Sequence, residues 1–142
     1  MTARFIARAV LAAAFSLTLS PVSAQGVQSA VDTFYEAVRK GDAEALETVL
    51  ADDAVIRLAD LGFDMSKEEF VESMDTWVEI AAEMTMRVKP DPAAPDTDET
   101  AVRLVCYQFP SNESLTRETS TLVDGRITAN VQDEIAESCE GF

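Results

Sequence analysis

The hydrophobic period of this sequence changes once along its length, and that change limits the folds open to it. Val27, Ala30, Val31, Phe34 and Val38 recur at helical spacing with Gly41 behind them as a stop, so 27–40 reads as an amphipathic helix. Asp42 is placed to cap a second, shorter helix through Leu50, with Ala45, Leu46, Val49 and Leu50 on its apolar side. Ala51-Asp52-Asp53 reads as a turn, 54–58 as a strand, and Gly62-Phe63-Asp64 as a short irregular return. Ser66-Lys67-Glu68-Glu69 has the form of a capping box and opens a third helix, buried along Phe70, Met74, Trp77, Val78 and Ala81. From Met84 onward the period falls to 2: Met84, Met86 and Val88 alternate with Thr85, Arg87 and Lys89, as in a half-buried strand.

Residues 90–99 hold three prolines and four acids and read as a loop, and 101–109 as a long strand apolar on both faces apart from Arg103 and Gln108. Asp124-Gly125 lies between two further strands, 117–123 and 126–132, and is a strong short-range hairpin signal. Helices first and strands second give an α+β layer fold: three N-terminal helices packed on one face of a curved antiparallel sheet.

The first 24 residues stand apart from this pattern. Arg4 and Arg8 precede an apolar run, 9–19, which Pro21 ends, and Val22-Ser23-Ala24 supplies the small residues of a signal-peptidase site. The run is short for the roughly 20 residues a bilayer span needs. The expectation is a secretory signal peptide over 1–24, a single domain over 25–142, and a periplasmic or secreted location with no membrane association after cleavage. Cys106 and Cys139 would then meet an oxidising compartment and pair, tying the C-terminal tail to a strand. Closing that loop contributes roughly 3–4 kcal/mol in the chain-entropy model.

Charge and composition narrow the chemistry. With 26 acidic against 11 basic side chains and a formal charge of −15, nucleic acid is not an expected partner. The absence of histidine excludes His-based triads, general bases and metal ligands. Asp91, Asp96, Asp98 and Glu99 crowd one loop but lack the register of a calcium loop, so neither metal nor cofactor is expected. Asp52-Asp53 and Glu68-Glu69 suit a turn and a helix start. Asn112-Glu113-Ser114 matches a glycosylation sequon and reads as incidental in a loop.

Two stretches carry a family resemblance: 34–46, beginning Phe34-Tyr35-Glu36-Ala37-Val38, and Leu50-Ala51-Asp52-Asp53-Ala54-Val55. Together with the Ser66 helix start and the Val123-Asp124-Gly125-Arg126-Ile127 hairpin, they make 27–135 resemble the nuclear transport factor 2-like superfamily, which includes ketosteroid isomerases, polyketide cyclases of the SnoaL-like kind and scytalone dehydratase. The resemblance implies a cone-shaped α+β barrel with an apolar pocket between helices and concave sheet, often in a homodimer. It also locates the superfamily's catalytic positions. The isomerase's first-helix oxyanion tyrosine falls on Phe34, its general-base aspartate on Leu58, and its second oxyanion donor nearest Thr119. A phenyl ring donates no hydrogen bond and a leucine takes no proton. The histidines of scytalone dehydratase have no counterpart at all.

Arg103 is the basic residue that could serve the arginine of the epoxide-hydrolase members, and it shares a strand face with Val105 and Tyr107; a salt bridge or an exposed position is the expected role. Tyr35, out of register with buried Phe34, is expected to be partly exposed. The ligand-binding candidates are thus Phe34, Leu58, Met74, Trp77, Arg103, Tyr107 and Thr119. The leading function is an exported, non-catalytic domain that holds a small apolar or amphipathic molecule. The alternatives are an isomerase, cyclase or hydrolase using pocket carboxylates or Arg103, and an interaction or dimerisation module with a filled cone.

Overall fold

The computed structural model describes residues 24–142. The leader segment therefore lies, apart from Ala24, outside the described residues. Helix α1 spans Ala24–Lys40 and α2 spans Ala43–Val49. Asp42 caps α2 by accepting from the Ala45 N–H at 3.0 Å, which satisfies a donor that has no partner within the helix. Strand β1, Leu50–Leu58, follows directly; a 3₁₀ turn over Ala59–Leu61 leads to the short strand β2, Phe63–Ser66. Helix α3, Lys67–Glu83, opens on the expected capping box: Glu69 Oε2 accepts from the Ser66 N–H at 2.8 Å, and Ser66 Oγ accepts from the Glu69 N–H at 3.3 Å. The remaining strands are β3 (Thr85–Pro90), β4 (Thr100–Gln108), β5 (Glu113–Val123) and β6 (Arg126–Ala136).

The six strands form one sheet in the order β2-β1-β6-β5-β4-β3, and the helices cover its concave face. The two terminal strands do not pair, so the cone is open along one side. Asp124 and Gly125 turn β5 into β6 with φ of 51° and 76°, the two left-handed residues of a tight hairpin.

Several local expectations are corrected. Asp52 and Asp53 belong to β1, where an irregular register between Leu50 and Val55 absorbs the extra residues. The sheet is mixed, because β1 runs parallel to β6, with Arg57 opposite Val131. Phe63 and Asp64 of the expected irregular return begin the edge strand β2, and Arg57 donates two hydrogen bonds across the β1–β2 pair to Asp64, at 2.7 and 2.8 Å. On α3 the buried residues are Phe70 and Met74, while Val78 is exposed.

The core lies between α1, α2 and the concave face, around Phe34, Leu46, Leu50, Ile56, Leu122 and Ile127. Cys106 and Cys139 form the expected disulfide and fasten the tail to β4. Beyond it, Phe142 is the aromatic face against which Arg87 and Lys89 rest, 4.7 and 4.6 Å from the ring centre.

Candidate functional site

Between α3 and the open end of the sheet the core is incomplete, leaving a cavity of about 390 Å³. Leu58 at the end of β1 and Gln132 within β6 border it, α3 contributes Phe70, Ser73, Met74 and Trp77, and β4 contributes Tyr107 with Phe109 just beyond its end. These positions follow from the two periods that built the elements. Phe70, Met74 and Trp77 lie one helical turn apart on one side of α3, and Leu58 follows Ile56 in the alternation of β1. Trp77 is held by its indole N–H, which donates to the Val38 carbonyl at 2.7 Å. Tyr107 and Phe109 stack with ring centres 6.3 Å apart. Among the described residues, no carboxylate, ammonium or guanidinium lines this cavity.

A carboxylate lies behind the Tyr107 wall. Glu118, on β5, is fully buried. Its Oε1 accepts from the Tyr107 hydroxyl at 2.8 Å and from Thr116 Oγ1 at 2.8 Å, and its Oε2 accepts from the Tyr35 hydroxyl at 3.0 Å. Burial pushes the Glu118 carboxyl above the ordinary carboxylate range, against the opposing pull of Tyr107, Thr116, Tyr35 and Asn130. Both tyrosine hydroxyls are pushed well above their usual range, by burial first and by Glu118 second. Two acceptor oxygens engaged by three hydroxyls are what a carboxylate needs to be tolerated out of water.

Arg103 lies opposite Glu118 across the β4–β5 pair, yet its guanidinium turns away. It is 2% exposed and donates to both Asp96 oxygens, at 2.7 and 2.8 Å, and to Gln28 Oε1 at 3.2 Å. The salt bridge expected for Arg103 is therefore present, and it holds the Asp96 carboxyl below its ordinary range. Arg103 faces a separate cleft of about 270 Å³ between α1 and β3, shared with Gln28 and Asp32. Asp91 from the same acidic loop is taken up by Arg117 at 2.9 Å.

Four of the sequence candidates thus meet at the cavity: Leu58, Met74, Trp77 and Tyr107. Phe34 is fully buried in the core, in edge contact with Tyr35 and stacked on Phe70. Thr119 opposes Val102 and Val131 on the other face of the sheet, and the side chain that points inward there is its neighbour Glu118. Tyr35 is 3% exposed rather than partly open, because its hydroxyl finds Glu118 as a buried acceptor. Glu118 was not a candidate from the sequence. The available signal was strand parity: counting back by twos from apolar Leu122 reaches Glu118 and passes over Thr119.

No family model and no curated protein matches this chain by sequence. Its backbone is nonetheless similar to solved structures. A candidate ketosteroid isomerase from Kribbella flavida superposes with a TM-score of 0.66 at 10% identity, covering 79% of each chain. An NTF-2 like protein of unknown function from Burkholderia xenovorans gives 0.65 at 12% identity, over 78% of this chain and 83% of that one. IdmH, a candidate polyketide cyclase from Streptomyces antibioticus, gives 0.62 at 21% identity, over 77% and 91%.

Proposed function

We propose that this chain, whose fold is the nuclear transport factor 2-like α+β cone, binds a small apolar or amphipathic molecule in the cavity bounded by Leu58, Met74, Trp77 and Tyr107 and performs no acid–base chemistry on it. The observation that carries this reading is the wall itself. It encloses a volume within the range of small-molecule sites and is built of aliphatic, aromatic and uncharged polar side chains. An enzyme is the weaker reading. Among the described residues, the fully buried carboxylate beside this wall is Glu118, which sits behind Tyr107 with both oxygens engaged by the protein's own hydroxyls. A proton-transfer group must instead reach the substrate.

Titration with the neutral fluorophore N-phenyl-1-naphthylamine tests this. Saturable enhancement is expected in the parent protein and its loss in Ser73→Phe, which fills the cavity. An absence of saturable binding, together with a bare chain in native mass spectrometry of protein from its own source, would overturn the reading. We further propose that residues 1–24 are a cleaved leader, a reading with which the Cys106–Cys139 disulfide is compatible. The mature protein should then begin at Gln25.

A further inference from the structure

The apolar cavity does not end at its own lip. A second hollow, of about 210 Å³, adjoins it and shares Leu58, Leu61 and Gln132 as a common wall. Leu61 is 76% exposed, so the shared wall is a low sill at the surface. The second hollow differs in chemistry: beside the shared residues and Thr116, it is lined by Asp60 and Glu134.

Both carboxylates are held in place by the fold. Asp60, in the 3₁₀ turn after β1, accepts from the Glu134 backbone N–H through Oδ2. β1 pairs with β6 only as far as Leu58 and Gln132, so this side chain takes over where the strand pairing stops. Glu134 Oε2 accepts from Ser114 Oγ at 2.6 Å, and Ser114 belongs to the wall of the apolar cavity. Thr116 pairs with Glu134 in the same regular register that pairs Glu118 with Gln132, so Glu134 follows Asn130 and Gln132 on the same side of β6, exposed near the strand's end. Each carboxylate thus has one oxygen bound to the protein and one without a protein donor among the described residues. Among the described residues neither carries an ion pair to a basic side chain, and no lysine or arginine lines either hollow.

We propose that the occupant of the cone is a cationic amphiphile: an apolar body lies against Trp77, Met74 and Leu58, and a protonated amine reaches over the Leu61 sill to Asp60 and Glu134. This rests on the binding reading above and gives it a substrate class. A carboxylate-bearing lipid would bring its charge to two like charges, in a protein of formal charge −15. A neutral molecule would fill the cone and leave the carboxylates unused.

The test is a matched series with one apolar body and three head groups: octylamine, octanol and octanoate, each displacing N-phenyl-1-naphthylamine at pH 7. Octylamine is expected to bind about fivefold more tightly than octanol, the scale of a partly exposed ion pair, with octanoate weakest. That advantage should shrink at high salt. It should vanish in Glu134→Gln combined with Asp60→Asn. Octanol affinity should be unchanged in the double variant, which reports that the cone is intact. Glu134→Gln alone keeps an acceptor for Ser114 and should lose part of the preference without disturbing the fold. Equal binding of amine and alcohol, or an amine preference that survives the double variant, overturns this inference and leaves the binding reading standing. Failure of all three probes and of the fluorophore overturns both.

Discussion

Tyr107 and Glu118 meet across the β4–β5 pair, the tyrosine hydroxyl donating to Glu118 Oε1 at 2.8 Å while the tyrosine ring forms part of the cavity wall. A side chain is thereby shared between a ligand surface and a buried polar cluster. The two roles separate on substitution. Tyr107→Phe keeps the ring and removes one donor from a buried carboxylate, so it should cost about 1–3 kcal/mol of stability. Probe binding should stay at the parent level. Urea unfolding reads the first and displacement titration the second; an unchanged midpoint would mean that the hydroxyl contributes nothing to the cluster.

Glu118 should also leave a signature in the pH dependence of stability. Burial raises its folded-state pKa, so the fold tolerates its charged form less well than the unfolded chain does. The associated stability is fully present below the ordinary carboxylate range and is lost as pH rises through the raised value. Asp96, lowered by Arg103, runs the other way: its contribution is present above the ordinary range and is lost as pH falls. Glu118→Gln is permanently uncharged and should gain on the parent between about pH 4 and about pH 8. Unfolding midpoints at the two pH values check this, and a difference that does not move with pH would contradict it.

The Cys106–Cys139 bridge closes a sequence separation of 33 residues. Reductant should lower the unfolding midpoint of the parent by an amount equivalent to roughly 3–4 kcal/mol. It should leave Cys106→Ser unmoved. Equal midpoints for the parent with and without reductant would show that the tail contributes no stability through the bridge.

Gly41 has φ of 66°, and a Cβ placed on it would lie 2.8 Å from Val78 Cβ on α3. The α1–α2 junction therefore sits against α3 with no room for a methyl group. Gly41→Ala should cost about 2–4 kcal/mol, combining the left-handed backbone penalty with the overpacking. A thermal melt within a degree of the parent would refute that close approach.

Local chemistry made much of the fold legible. The Ser66–Glu69 box, the Asp42 cap and the Asp124-Gly125 turn each depend on a few adjacent residues, and each formed where those residues stand. The parallel pairing of β1 with β6 did not announce itself, since nothing near Arg57 encodes the arrival of Val131. Apolar cavity positions such as Met74 and Trp77 could be read because periodicity marks the inward side of a helix. Glu118 could not be found by seeking apolar residues, because it is polar and its burial depends on hydroxyls supplied by Tyr35 and Tyr107 from other elements. The failure at Thr119 was one of parity, a single-residue offset that exchanges one face of a strand for the other.

The parallel β1–β6 pair also bears on how the molecule assembles. β3 through β6 can zip together as neighbours, each strand meeting the one before it, but β1 gains its second neighbour only when the last strand is in place. A chain emerging from its N-terminus therefore carries β1 with an unpaired edge until synthesis is almost finished. Docking of that edge is a non-local event, and such closures are slow. While it waits, the edge is the segment most open to pairing with another chain. The interval before β6 arrives is thus when the nascent protein most needs shielding from its own kind.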